Sequence, residues 1–143
     1  MTVVVAVTGL LAACSREGAT EPTSPVPSIA SSEGVAIITP QQLQDMMAKE
    51  DVYLVNVHVP YEGEIPGTDA HIPYTDIASR LGEIPFDGRS VVIYCRSGVT
   101  SGMASKSMVE AGAPPFYELE GGYLAWQAAG FEFNTGSPEA VSG

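Results

Sequence analysis

The chain has 143 residues, and 17 acidic against 6 basic side chains give it a formal net charge of −11 at neutral pH. This charge repels nucleic acid and anionic lipid headgroups, and no basic cluster offsets it, so we exclude nucleic acid as a partner. The two cysteines stand in unrelated surroundings, which argues against a disulfide framework. Only the last two thirds has a globular composition, about a hundred residues and one domain's worth of core.

The N-terminus contains an apolar run, from Val3 to Leu11, which leads through two alanines to Cys14. The run is too short for a permanent membrane span but suits a signal peptide. Small residues before a cysteine resemble a bacterial lipobox, whose cysteine is lipidated and becomes the mature N-terminus. A buried strand is the alternative interpretation, and the lack of a preceding Lys or Arg leaves open a start further upstream. We predict a lipoprotein signal peptide over residues 1–13 and lipidation of Cys14.

Residues 14–33 are mostly Ser, Thr, Pro, Ala and Glu, with little to bury. Such a tract does not repay the entropy of ordering, so it predicts a disordered tether. The two segments together predict a domain outside the cytoplasm, in a bacterial cell envelope, held at the membrane only through its N-terminal lipid anchor. Lipidation of Cys14 would leave Cys95 as the only free thiol.

The domain itself is predicted over residues 34–134, followed by a flexible tail at 135–143. Its first strand is Val35 to Ile38, and a helix follows with Thr39 as N-cap and Pro40 in its first turn. Residues 52–57 read as a buried strand. Residues 58–77 are rich in Pro, Gly and acidic residues, which predicts an ordered surface loop with a helical turn near its end. Its acidic stretch, Glu62 to Asp69, is interpreted as a solvated face, with a surface for a cationic partner as the alternative.

The second half of the domain continues the alternation of strands and helices. A strand at 90–94 ends at Cys95, a helix covers 101–111, a strand covers 116–119, and a last helix follows two glycines. The apolar stripe of the 101–111 helix consists of Met103, Ala104, Met108 and Ala111. This order predicts an α/β fold with a central, mainly parallel sheet flanked by helices.

Cys95 stands where a strand passes through a short loop into a helix, and ligands bind at that end of a parallel sheet. A loop that tightens into a helix N-terminus directs backbone N–H groups toward one point, and Gly98 permits the required backbone angles. A thiolate there is stabilised and nucleophilic at neutral pH. The alternative, a buried structural cysteine, is favoured only without this loop. We predict Cys95 as the catalytic nucleophile.

Three sequence segments resemble the rhodanese family, over roughly residues 35–133. They are Cys95-Arg96-Ser97-Gly98-Val99-Thr100, the six-residue active-site loop; Gly121-Gly122-Tyr123-Leu124-Ala125-Trp126, the Gly-Gly-x-x-x-Trp segment; and His71-Ile72-Pro73. The resemblance implies ping-pong sulfur transfer, in which the cysteine takes sulfane sulfur from a small anionic donor. The resulting persulfide then passes its sulfur to a thiol or cyanide-like acceptor. The implied substrate-binding residues are Arg96, Ser97, Gly98, Val99, Thr100 and Ser101, and we expect a monomer.

The chain departs from the family pattern after its second strand. Asn56-Val57-His58 stands where Asp-x-Arg is usual, so a structural ion pair is expected to be absent. Basic residues in this loop accompany thiosulfate as the donor in the family, and a Gly after the cysteine accompanies mercaptopyruvate. The resemblance thus implies thiosulfate through Arg96, but Ser97 supplies no second charge, so the donor stays open.

Other functions are less compatible with the sequence. Related phosphatases and arsenate reductases need an Arg six residues after the cysteine, and Ser101 stands there. No ligand spacing links His58, His71 and Cys95, so we predict no metal and no cofactor. Each histidine is instead interpreted as a hydrogen-bonding anchor of its loop. A thiol redox role lacks a resolving cysteine. The main competitor is a non-catalytic rhodanese-like binding or regulatory module, but such modules usually lack the cysteine.

The lipobox generates a prediction of its own. Replacing Cys14 with Ala removes the lipidated thiol, so the domain should move from the membrane fraction to the soluble fraction after cell fractionation. Cys95→Ala serves as the control and should stay with the membranes. Membrane retention of the Cys14→Ala variant would contradict the anchor.

Overall fold

The computed structural model describes residues 25–27 and 34–136. The predicted signal peptide, Cys14, nearly all of the tether and most of the C-terminal tail lie outside these residues. The elements in chain order are β1 (Val35–Ile38), α1 (Pro40–Lys49), β2 (Val52–Asn56), β3 (Ala70–His71), a 3-10 helix (Ile77–Glu83), β4 (Ser90–Tyr94), α2 (Val99–Glu110), β5 (Phe116–Leu119) and α3 (Gly122–Ala128).

The five strands form one sheet in the order β1-β5-β4-β2-β3, and every strand pairing in it is parallel. The predicted α/β class with a parallel sheet flanked by helices is therefore confirmed. β4 and β5 lie in the interior of the sheet, so the carboxyl ends of two buried strands meet beside each other. This edge is where a ligand site is expected in an open parallel sheet.

The start of α1 shows how closely local sequence determines structure here. Thr39 is the N-cap, and its side-chain oxygen accepts a hydrogen bond from the Gln42 backbone N–H at 3.2 Å. The Gln42 side chain accepts in return from the Thr39 N–H at 2.8 Å, which completes a capping box. Two otherwise unsatisfied donors are paired in this way, and Pro40 adds none.

Two apolar clusters pack on the sheet. One combines side chains of β2, β4 and β5 with Leu43 and Met46 of α1 and Trp126 of α3. The other combines alternate side chains of the same strands with Ile77 of the 3-10 helix and Met108 of α2. Burial on both faces explains why the central strands read as continuous apolar runs.

The loop between β2 and β3 differs from the predicted surface loop. Ile65 is fully buried, and Glu64 and Thr68 are buried too. The Ile65 N–H donates a hydrogen bond to the Tyr94 hydroxyl at 3.0 Å, and Thr68 Oγ1 lies 2.7 Å from the same oxygen. A buried phenol needs partners, and this loop supplies them, so it packs into the core.

Helix α2 also differs from prediction, because it begins at Val99 and buries a different face. Met103 is 54% exposed and Ala111 is exposed, so neither belongs to the buried stripe. The buried residues are Ser101, Ala104, Ser105 and Met108. Two serines occupy core positions because a carboxylate on β5, described below, accepts hydrogen bonds from both hydroxyls. None of the helices in the described part of the chain has the length and apolar character needed to cross a bilayer.

The Tyr94 contact can be tested by Tyr94→Phe, which leaves the buried Ile65 N–H without its acceptor, whereas the Thr68 hydroxyl keeps its bond to the Ile65 carbonyl. We expect a loss of about 1–3 kcal/mol in the free energy of unfolding, measured by urea denaturation. Tyr117→Phe is the matched control, because the Tyr117 hydroxyl makes no hydrogen bond with the described residues. It should change stability by less than about 0.5 kcal/mol. Equal losses in the two variants would contradict the role given to Tyr94.

Candidate active site

Cys95 directly follows β4 and is 1% exposed. Its sulfur accepts a hydrogen bond from the Gly98 N–H at 3.0 Å and lies 3.4 Å from the Ser101 hydroxyl. Gly98 is the N-cap of α2 and has a φ of 95°, a conformation that strains any residue with a Cβ. The loop thus wraps around the sulfur, with the N-terminus of α2 behind it.

The other predicted loop residues fall into two groups. Arg96 and Ser97 are exposed, and Val99 is exposed as well, so its side chain does not line the sulfur site. Thr100 and Ser101 face inward. Thr100 Oγ1 is buried and acts on the Cys95 thiol, and it completes no hydrogen bond to another described residue.

The acidity of Cys95 is set by two opposing effects. Burial raises the pKa of the thiol, because it disfavours the thiolate. The hydroxyls of Ser101 and Thr100 and the backbone N–H groups of Ser101 and Gly98 act against burial, and together they hold the pKa of Cys95 below its ordinary value. A buried cysteine with a lowered pKa is typical of a nucleophile rather than of a packing residue.

The loop is fixed from outside by the start of α3. The Tyr123 N–H donates to the Cys95 carbonyl at 2.9 Å, and the Leu124 N–H donates to the Arg96 carbonyl at 3.0 Å. A Cβ on Gly122 would lie 2.3 Å from the Cys95 carbonyl oxygen, and the Gly122 φ of 60° also disfavours a side chain. The Gly-Gly sequence is therefore required for α3 to approach the cysteine loop.

A cluster of polar side chains lies beside the cysteine loop, and we call it the mouth of the site. It consists of Glu62, Arg96, His58 and Tyr123. The Glu62 carboxylate accepts a hydrogen bond from the Tyr123 hydroxyl, pairs with His58 Nε2 at 3.0 Å, and lies 3.6 Å from Arg96 Nε. The Tyr123 hydrogen bond, the His58 bond and the Arg96 charge outweigh the effect of burial and hold the pKa of Glu62 below its usual range. Glu62 thus partly neutralises Arg96, contrary to the interpretation of this loop as a solvated acidic face.

The unusual Asn56-Val57-His58 segment supports this cluster without the ion pair of the family pattern. Asn56 is buried; its side-chain amide donates to the Gly63 carbonyl, and its side-chain oxygen accepts from the His58 N–H, both at 2.9 Å. His71 Nε2 lies 2.6 Å from the His58 carbonyl oxygen, which fits its predicted role in anchoring the loop. These bonds hold His58 and Glu62 over the mouth.

A second carboxylate lies behind the loop. Glu118, in the middle of β5, is 8% exposed and accepts hydrogen bonds from Ser101 Oγ at 2.8 Å and from Ser105 Oγ at 2.6 Å. It belongs to the immediate surroundings of Cys95 through Ser101. The sequence feature that could have identified Glu118 is its position as a charged residue inside an otherwise apolar strand.

Within residues 25–27 and 34–136, no group of His, Cys, Asp and Glu side chains has a geometry that could hold a metal ion.

A thiol at the end of a central parallel strand, enclosed by a loop and held by a Gly-Gly turn, defines a class of cysteine-loop α/β domains. The sequence profile described as Rhodanese-like domain matches residues 39–129. The chain belongs to this family.

Individual relatives agree with this assignment. The chain is 35% identical over 91 residues to the thiosulfate sulfurtransferase GlpE of Pseudoalteromonas translucida, covering 62% of this chain and 85% of that one. It is 40% identical over 90 residues to a sulfurtransferase of Allochromatium vinosum, covering 61% and 82% of the two chains. The crystal structure of the Alr3790 protein from Anabaena superposes with a TM-score of 0.61 at 21% identity, over 72% of this chain and 86% of that one, and shows the shared fold.

The contact between α3 and the cysteine loop generates a prediction. Gly122→Ala introduces a Cβ against the Cys95 carbonyl in a left-handed backbone conformation, so we expect a loss of about 2 kcal/mol or more in the free energy of unfolding. Displacement of the loop should also change the rate at which an alkylating reagent modifies the Cys95 thiol. Gly82→Ala is the control, because a Cβ at Gly82 meets nothing within 4 Å. Unchanged stability of the Gly122→Ala variant would contradict the close packing.

Proposed function

We propose that this protein is a sulfurtransferase that carries sulfane sulfur as a persulfide on Cys95, with thiosulfate as the favoured donor. The observation that carries the proposal is that the Cys95 sulfur accepts a hydrogen bond from the Gly98 N–H at 3.0 Å, in a loop whose buried Thr100 hydroxyl also lowers the pKa of the thiol. The similarity to proteins named as sulfurtransferases supports this reaction class.

In the first half-reaction, the Cys95 thiolate attacks the outer sulfur of thiosulfate. The new S–S bond forms as the sulfur–sulfur bond of the donor breaks, and sulfite leaves with the electron pair. The charge stays in balance, because a thiolate and a dianion become a persulfide anion and a dianion. Gly98 N–H, the Thr100 hydroxyl and the α2 N-terminus are placed to stabilise the persulfide anion.

In the second half-reaction, a thiolate or cyanide attacks the outer sulfur of the persulfide. The Cys95 sulfur then leaves as the thiolate, which the same donors stabilise, and the enzyme returns to its starting state. A leaving thiolate with a lowered pKa departs faster, so the environment of Cys95 assists this step.

The preference for thiosulfate rests on Arg96 at the mouth. Its guanidinium is the cation beside the loop, and an exposed Arg binds an oxyanion through several N–H groups. Glu62 at 3.6 Å offsets part of this charge, so the attraction for a dianion is weaker than that of an unpaired Arg.

A non-catalytic binding module is the second candidate, and the 1% exposure of Cys95 is the observation in its favour. A binding role would need no reactive sulfur, so the test below also separates the two functions. We further propose that the domain acts outside the cytoplasm on a lipid anchor at Cys14, for which the N-terminal sequence is the support.

The reaction is tested by treating the protein with thiosulfate and analysing its peptides by mass spectrometry. We expect one added sulfur atom on the Cys95 peptide, which dithiothreitol removes. Cys95→Ser should reduce thiosulfate:cyanide sulfur transfer to the uncatalysed rate, with an unchanged circular dichroism spectrum. Cys14→Ala is the matched control and should retain full turnover. A folded Cys95→Ser variant that is fully active would exclude the persulfide mechanism.

A further inference from the structure

The Ser101 hydroxyl lies beside the Cys95 thiol, which donates to its oxygen, and beside two oxygen acceptors. Its oxygen is 3.4 Å from Cys95 Sγ, 3.2 Å from the Gly98 carbonyl oxygen and 2.8 Å from Glu118 Oε1. A serine hydroxyl has one hydrogen to donate. The carboxylate is both the nearest and the charged acceptor, so it competes most strongly for that hydrogen.

Glu118 is held in place for this contact. Its second oxygen accepts the Ser105 hydroxyl at 2.6 Å, so two serines of α2 fix both carboxylate oxygens. In the sheet, Glu118 is in register with Ile93 of β4 and Ile37 of β1. Ile93 belongs to the apolar cluster that includes Met108 of α2, so Glu118 lies on the face of the sheet that α2 covers.

This arrangement opposes ionisation of Cys95 in two ways. A thiolate needs hydrogen-bond donors, and the Ser101 hydroxyl reaches the sulfur only by turning away from Glu118, which leaves a buried carboxylate oxygen without that donor. The thiolate would also be a second negative charge separated from the carboxylate by a single hydroxyl group. The Gly98 N–H, by contrast, donates to the sulfur itself, at 3.0 Å.

We propose that Glu118 is a positioning residue that draws the Ser101 hydroxyl away from Cys95 and so restrains ionisation of the thiol. The catalytic meaning of this effect rests on the proposed sulfur transfer. A less readily ionised cysteine attacks a donor more strongly once deprotonated, but it leaves a persulfide more slowly. Glu118 thus shifts the balance between the two half-reactions.

The other charged groups near these residues are paired. Lys106 and Glu110 of α2 line the same groove as Glu118, about 440 Å³ in volume, and lie 3.9 Å from each other. β1 contributes the apolar Val35 to that groove. On the side of the mouth, Glu62 pairs with Arg96, and the Tyr123 hydroxyl is bonded to Glu62. Among residues 25–27 and 34–136, Glu118 is bonded to the two serine hydroxyls and to no cation, so its charge acts on Ser101 directly.

The test is the rate of Cys95 alkylation by iodoacetamide as a function of pH, followed on the Cys95 peptide of the full chain by mass spectrometry. Glu118→Gln replaces the carboxylate with a neutral amide that can donate to Ser101. The midpoint of the rate profile should fall by about one pH unit, a roughly tenfold gain in thiolate below the midpoint. Glu110→Gln removes an equal charge from the same groove without touching Ser101, and its midpoint should not move.

A second pair of variants tests the path through the hydroxyl. In a Ser101→Ala background, Glu118→Gln should move the midpoint by less than half as much; an equal shift would show that the charge acts through space and would overturn the positioning role. Ser105→Ala, which leaves Ser101 as the remaining donor to Glu118, should move the midpoint upward. An unchanged or raised midpoint in folded Glu118→Gln protein would overturn the proposal. Alkylation requires only a thiol, so these results stand even if the protein transfers no sulfur.

Discussion

Two backbone hydrogen bonds, from the first turn of α3 to the carbonyls of Cys95 and Arg96, hold the reactive loop in its shape. Because the carbonyl groups at the start of the loop point outward to α3, the N–H groups further along it turn inward to the sulfur. The bonds form only because Gly122 has no side chain. The cysteine loop and the Gly-Gly turn, far apart in sequence, are therefore one structural unit.

Two groups of polar side chains lie near the Cys95 sulfur. The mouth carries Glu62, Arg96 and Tyr123, groups that a substrate meets first. Ser101 and Glu118 form the second group, in which the Ser101 hydroxyl lies between the sulfur and the carboxylate. Substitutions at the mouth could therefore change the donor preference without altering the ionisation of the thiol. Substitutions at Ser101 or Glu118 could likewise change the ionisation of the thiol without altering the donor preference.

Features that depend on neighbouring residues were predictable from the sequence. The Thr39 cap, the strand before Cys95 and the tight turn at Gly98 follow from local preferences, and the alternation of elements led to the correct fold class. The buried serines of α2 were not predictable, because polar residues are placed in a core only by a distant partner, here Glu118. For the same reason the acidic loop reads as solvated, although Tyr123 and Arg96 bind Glu62 across it.

The Glu62–Arg96 pair has a consequence for the diffusion of substrates. The protein carries a net charge of −11, and at the entrance its exposed cation is matched by an adjacent carboxylate. An anionic donor is therefore repelled at long range and finds little steering at short range. Salt screens such fields over about 8 Å at physiological ionic strength, so encounter with a dianion accelerates as salt is added, whereas encounter with a neutral molecule does not. The relative rates at which charged and neutral molecules reach this site therefore depend on ionic strength.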